Sequence, residues 1–257
     1  MNRNVVITGA TSGIGKAFAE MFAGMGDSVI LIARNEGKLK ELCGRFLKMN
    51  PGREYKYFAA DLSKEKETES VCSWLYSKNI DILVNNAGFG MTGAFMELDG
   101  HEEEEMMYLN IFALTKLTKY VGRQMVLRGK GYILNVSSLA SFMPNPYGDV
   151  YAATKAYVKS FTEGLSEELN GTGVFASVLC PGPTKTGFGR RSGMDRTKVF
   201  SGKVMLPETV VKIAYRKMLQ HKIEIVPGVK NKLGAFLSRT APLKPVLKIA
   251  ADELKIH

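Results

Sequence analysis

Apolar residues along this chain cluster in two alternating rhythms. Short unbroken runs read as strands at Asn4–Ile7, Ser28–Ala33, Tyr55–Ala59, Ile80–Val84, Tyr132–Val136, Val174–Cys180 and Ile223–Val226. Between them, apolar positions three and four apart predict helices over Ile14–Met25, Glu36–Lys48, Lys64–Ser77, His101–Leu127, Tyr151–Leu169 and Pro207–Gln220. The first helix shows the rhythm plainly, with Ile14, Phe18, Met21, Phe22 and Met25 on one side. Pro207 suits a helix start, because the first helical position needs no N–H donor. Strands that alternate with helices pair in parallel, and nearly all-apolar strands imply helices on both faces. The predicted fold is therefore α/β: one doubly wound parallel sheet of about seven strands in a single domain. Two stretches read as irregular: Gly182–Leu206, and Gly228–His257 with its Pro242 and Pro245.

Composition narrows the function classes. The chain has 257 residues, enough for a sizeable core, and no apolar run long enough to span a bilayer or serve as a secretory signal. Cys43, Cys72 and Cys180 are odd in number and far apart, which predicts free thiols in a reducing cytoplasm and no metal site. The net charge of +10 lies wholly at one end: residues 190–257 hold fifteen basic and five acidic side chains, whereas the preceding residues balance. No helix-turn-helix or aromatic-basic pattern accompanies that charge, so nucleic acid is not an expected partner.

The candidate chemistry begins after the first strand. Thr8-Gly9-Ala10-Thr11-Ser12-Gly13-Ile14-Gly15 joins a strand to a helix, so its backbone can approach a pyrophosphate held at the helix N-terminus. After the second strand stand Arg34, Asn35 and Lys38, where an NAD-specific site would place a carboxylate. A guanidinium there pairs with a 2′-phosphate and predicts NADP(H). Of the ten tyrosines, only Tyr151 has a lysine, Lys155, four residues on. On a helix the two share a face, and an ammonium nearby lowers a phenol's pKa toward the working range.

Four stretches together resemble the short-chain dehydrogenase/reductase family: Thr8–Gly15, Asn85-Asn86-Ala87-Gly88, Ser138 thirteen residues before Tyr151, and Tyr151-x-x-x-Lys155. Asn110 and Pro181-Gly182 also fit, and the likeness covers roughly residues 4–227. The resemblance implies a Rossmann fold over residues 1–227 and hydride exchange between NADP(H) and a ketone or secondary alcohol. It implies that Tyr151 exchanges the proton with the substrate oxygen and that Ser138 hydrogen-bonds that oxygen. Lys155 would tune the tyrosine and hold the nicotinamide ribose, and Asn110 would hold a relay water. Gly9, Thr11, Ser12, Gly13, Ile14 and Gly15 would cradle the phosphates. Asp61 and Leu62 would contact the adenine; Asn86, Ala87 and Gly88 would line the cofactor channel; Pro181, Gly182, Thr184 and Thr186 would flank the carboxamide. Phe89, Met91, Leu139, Met143, Tyr147 and Phe188, with Ser138, would face a hydrophobic carbonyl substrate of hydroxysteroid or 3-oxoacyl type. The family likeness also implies a homodimer or homotetramer. The complete tyrosine–lysine–serine set argues against the other reading, a non-catalytic NADP(H)-binding regulatory or redox-sensing protein.

Lys185, Arg190, Arg191, Arg196, Lys198 and Lys203 make the 182–206 loop basic, either as a solvated surface or as a lid that favours anionic substrates. Residues 228–257 form a basic amphipathic C-terminal extension, with Leu233, Phe236 and Leu237 on one helical face. Packing of that face on the enzyme body or a sister subunit is the favoured expectation, and contact with an anionic membrane the second.

Overall fold

The computed structural model describes residues 3–202 and 204–255. Seven strands form one sheet: β1 (Asn4–Thr8), β2 (Ser28–Ala33), β3 (Tyr55–Ala59), β4 (Ile82–Asn85), β5 (Gly131–Val136), β6 (Val174–Leu179) and β7 (Glu224–Ile225). All neighbours pair in parallel, in the order β3-β2-β1-β4-β5-β6-β7. Every residue of β2 is buried, as expected for a strand covered on both faces.

Helices α1 (Gly13–Gly24), α2 (Glu36–Met49) and α8 (Pro207–Leu219) cover one face, packing Phe18, Phe22, Leu39, Phe46, Val210 and Met218 against the sheet. On the other face, α3 (Glu65–Tyr76) and α5 (Leu114–Arg128) bury Val71, Leu75, Leu117, Val121 and Met125. Beside them α6 (Asp149–Glu168) buries Val158. A buried amide ladder fixes these helices over the strand ends. Asn85 Nδ2 donates to Thr118 Oγ1 and to Asn135 Oδ1, each at 2.9 Å, and Asn135 Nδ2 donates to Thr162 Oγ1 at 3.0 Å. These buried bonds help hold register, because breaking one strands a desolvated amide, although Asn85 Oδ1 is itself buried without a partner.

Three segments depart from the sequence reading. The long helix expected over His101–Leu127 is α4 (Gly100–Met107) followed by a wider π turn over Tyr108–Ala113 and then α5. The 182–206 loop contains the short α7 (Phe188–Ser192) and two tight turns, Met194–Arg196 and Lys198–Phe200. A bridge between Thr184 and Met205 closes it at its base, and Lys203 lies outside the described residues.

The third departure is the largest. Residues expected to be irregular after Gly228 form α9 (Val229–Thr240) and α10 (Leu243–Leu254). Pro242 caps α10 and Pro245 sits in its first turn, where a missing N–H breaks no helical bond. Val246, Ala250 and Leu254, four residues apart, bury one face of α10.

Candidate active site

The carboxyl ends of β1, β4, β5 and β6 open onto a single large cavity of about 640 Å³. It lies where the strand order reverses between β1 and β4, the usual place for a ligand crevice in such sheets.

The phosphate end is built by close backbone approach. Gly9 and Gly13 adopt φ of +65° and +52°, which side chains with a Cβ rarely adopt. At Gly15 a Cβ would stand 2.3 Å from the Gly9 carbonyl oxygen and 2.4 Å from Asn86 Nδ2. Thr8 Oγ1 accepts from the backbone N–H groups of Asn86 and Ala87, both at 2.9 Å, which ties the loop to the end of β4. Gly9, Thr11, Ser12, Gly13 and Ile14 all line the cavity, and no acidic side chain occupies the first turn of α1. This cradle fits a dinucleotide pyrophosphate, which needs free N–H donors and no carboxylate. Gly15 is too tightly packed to line it. Replacing Gly15 by Ala should cost about 1–3 kcal/mol through overpacking. An unchanged urea midpoint would contradict that tight contact.

At the adenosine end, Arg34 lines the cavity and its guanidinium stands 3.6 Å from Asp61. Burial pushes the Asp61 carboxyl up, but hydrogen bonds from Ser63 and the Arg34 charge hold it below its usual range. Asn35 lines the cavity and also caps α2, accepting from Lys38 N–H at 2.9 Å. Lys38, on the first turn of that helix, does not line the cavity. The nearest acid in sequence, Glu36, is engaged with Lys40 and Tyr57.

At the far end, Tyr151 and Lys155 sit on α6, both buried, with Ser138 at the end of β5. Ser137 Oγ donates to the Lys155 carbonyl at 2.7 Å, and Lys155 Nζ donates to the Val136 carbonyl at 3.1 Å. The ammonium lies 5.8 Å from the centre of the Tyr151 ring. Burial pushes the Tyr151 phenol up to about 12, partly offset by a hydrogen bond with Ser138. Burial also pushes Lys155 down to about 8. In the protein alone desolvation dominates at both groups, because it disfavours their charged forms.

Asn110, in the π turn, is fully buried. Its side chain accepts from Phe89 N–H at 3.3 Å and donates to the Phe89 carbonyl at 2.9 Å and to Thr154 Oγ1 at 3.0 Å. It thereby clamps the segment after β4 to α6. Asn110 Oδ1 and Lys155 Nζ meet around Gly88, where a Cβ would come within 2.8 and 3.2 Å of them respectively.

The remaining sequence candidates divide. Leu62, Asn86, Ala87, Gly88, Leu139, Met143, Pro181, Gly182, Thr184, Thr186 and Phe188 line the cavity, whereas Phe89, Met91 and Tyr147 pack in the apolar cluster behind Tyr151. Tyr147 has a φ of +65°, a strained backbone beside the site.

Sequence reasoning missed Met194, Val199 and Phe200 of the loop, and Ile249, Ala250, Glu253 and Leu254 of α10, and it named Arg191 only as part of a basic loop; all of them line the cavity. The spacing of Val246, Ala250 and Leu254 was the available signal for α10, and the basic character of the loop was the signal for Arg191. Its guanidinium stands 4.6 Å from the centre of the Phe89 ring. Partial burial, and after it the Arg34 charge, lower its pKa, so the two cations are within electrostatic reach of one another. Lys198 holds both carboxylate oxygens of Asp252 at 2.9 Å and so ties the loop to α10. Among the described residues, no group of three or more His, Cys, Asp or Glu side chains could hold a metal.

Comparison with known proteins agrees with this geometry. The family model for short chain dehydrogenases matches residues 3–197. A very-long-chain 3-oxoacyl-CoA reductase of Rattus norvegicus is 31% identical over 251 residues, covering 94% of this chain and 78% of that protein. 17-beta-hydroxysteroid dehydrogenase type 3 of Mus musculus is 35% identical over 184 residues, covering 70% of this chain and 60% of that one. A short-chain dehydrogenase from Sphingobium yanoikuyae, solved in complex with NADPH, superposes with a TM-score of 0.84 at 32% identity and covers 91% of this chain and 92% of its own.

Proposed function

This chain belongs to the short-chain dehydrogenase family, oxidoreductases of alcohol and carbonyl groups, and from that premise we propose that it reduces a hydrophobic ketone with NADPH. One observation carries the reading: a single cavity joins the phosphate cradle and Arg34 at one end to Tyr151, Ser138 and Lys155 at the other. Bound nicotinamide supplies the hydride and, once oxidised, a positive charge near the phenol.

The residues of the chain do the rest. Tyr151 holds a proton at its phenol oxygen and gives it to the substrate oxygen as charge develops there. Ser138 donates to that same oxygen and orients it. Lys155 binds the nicotinamide ribose and favours the phenolate left after transfer. Asn110 holds the relay water that returns a proton from solvent. Arg34, with Arg191 above it, holds the 2′-phosphate.

The substrate is a bulky apolar carbonyl compound of 3-oxoacyl or hydroxysteroid type. Leu139, Met143, Phe188, Met194, Val199 and Leu254 supply apolar walls around few polar groups, which suits such a body with one reacting oxygen. The relatives named for 3-oxoacyl-CoA reduction and for 17-beta-hydroxysteroids support the same class. The enzyme works in the cytoplasm, in keeping with three buried free cysteines. It assembles as a homodimer or homotetramer through the exposed Phe112, Tyr120 and Tyr157.

NADPH consumption across a series of 3-oxoacyl thioesters, ketosteroids and small diketones tests the substrate class. kcat/KM should rise with apolar size by about tenfold for each two methylenes buried. Fastest turnover on the smallest diketone would overturn it.

A further inference from the structure

α9 is amphipathic in the reverse sense to an ordinary surface helix. Its inward side is made of Asn231, Ala235 and Ser238, spaced four and three residues apart, and Asn231 packs against Gly182 at the cavity wall. At 100° per residue, the opposite side carries Val229, Leu233, Phe236 and Leu237. These four are 83%, 57%, 61% and 52% exposed. Leu243, at the start of α10, extends the patch and is also exposed. The neighbouring α10 shows the usual sense, with its apolar stripe turned inward. Of the favoured expectation, packing on the enzyme body or a sister subunit, the first half is corrected: a small, partly polar face docks on the body, and the large apolar one is left outside.

The flanks say what covers it. Lys230 and Lys232 stand on either side of the stripe, and Lys244 and Lys248 follow on α10. Glu224, the acidic residue next to the end of α9, is engaged by Arg239 and Lys159. Residues 228–257 hold six basic and two acidic side chains, so this part of the chain is itself cationic. Two copies pairing through this stripe would bring like charges together with no acidic side chain on α9 to offset them. A bilayer with anionic headgroups matches both features: the apolar side chains enter the acyl boundary, and lysines snorkel to the phosphates.

We propose that α9 docks this enzyme on an anionic lipid surface, with Val229, Leu233, Phe236 and Leu237 inserted and Lys230 and Lys232 at headgroup level. No helix among the described residues is long and apolar enough to cross a membrane, so the contact is peripheral and reversible. α9 packs on the Leu139–Phe142 turn that follows Ser138, and Leu139 lines the cavity. Docking therefore holds the substrate end of the cavity near the lipid.

Flotation of the full chain with phosphatidylcholine vesicles, with and without phosphatidylglycerol, tests this. The wild type should float with the anionic vesicles alone and leave them at high salt. The Leu233→Ser/Phe236→Ser/Leu237→Ser and Lys230→Glu/Lys232→Glu variants should each lower the floated fraction by about tenfold or more. All of these positions are exposed, and unchanged circular dichroism and NADPH binding confirm that the variants are folded. Two results would overturn the proposal: a wild type that stays with neither vesicle, or a triple serine variant that floats like the wild type. A third would replace it with a second copy: an oligomer, indifferent to lipid, that the serine variant dissociates.

Discussion

Tyr151→Phe should lower turnover by about a thousandfold or more while leaving NADPH affinity within about twofold of the wild type. The phenyl ring keeps the packing of Tyr151 against Phe188, whose ring centre is 5.6 Å away, so the cavity keeps its shape. What disappears is the one proton donor placed beside Ser138. Burial keeps the phenol protonated at neutral pH, which is the form that ketone reduction consumes. The size of the loss follows from general acid catalysis, because an unassisted alkoxide must then form in a desolvated cavity. Stopped-flow NADPH oxidation gives turnover, and cofactor fluorescence gives affinity. Turnover within tenfold of the wild type would remove Tyr151 from the chemistry.

Arg34→Asp should reverse the cofactor preference, raising KM for NADPH by about a hundredfold and improving NADH. Arg34 stands at the end of β2 and faces one acid among the described residues, Asp61, at 3.6 Å. A 2′-phosphate carries more charge than that carboxylate and competes for the same guanidinium. An aspartate in its place repels the phosphate but accepts from a 2′-hydroxyl. Arg34→Ala should show the milder part of the effect, about thirtyfold on NADPH with little change for NADH. Steady-state kinetics with both cofactors decides the point, and a wild type equally efficient with NADH and NADPH would overturn the assignment.

Much of the fold could be read from the sequence because a twice-covered parallel sheet leaves a local mark. β1, β2 and β4 are short apolar runs, and the helices between them repeat every three to four residues. The proposed catalytic set has a local mark for a similar reason: Tyr151 and Lys155 share one helix, and Ser138 follows the end of one strand. What escaped depends on contacts between distant segments. Lys38 was placed in the cofactor site by its nearness to Arg34, yet the capping bond from Asn35 starts α2 at that point and takes the lysine out of the cavity. Arg191 was read only as part of a basic loop, and its place on the cavity wall, over the Phe89 ring, depends on how that loop folds. α10 was obscured by Pro242 and Pro245, which look like breaks in a list of residues but mark a helix start. The same helix then supplies a wall of the substrate cavity. The pKa of Tyr151 also depended on burial, which spacing alone does not reveal.

The central claim is that this cavity passes a hydride from NADPH to a carbonyl carbon while Tyr151 supplies the proton. The direct measurement uses NADPH deuterated at its transferable position with the best substrate of the carbonyl series, followed by mass spectrometry of the product. The wild type should place one deuterium on the carbinol carbon, and Tyr151→Phe should give almost none over the same time. A wild-type product alcohol without deuterium, or a Phe variant that forms labelled product at the wild-type rate, would contradict the account.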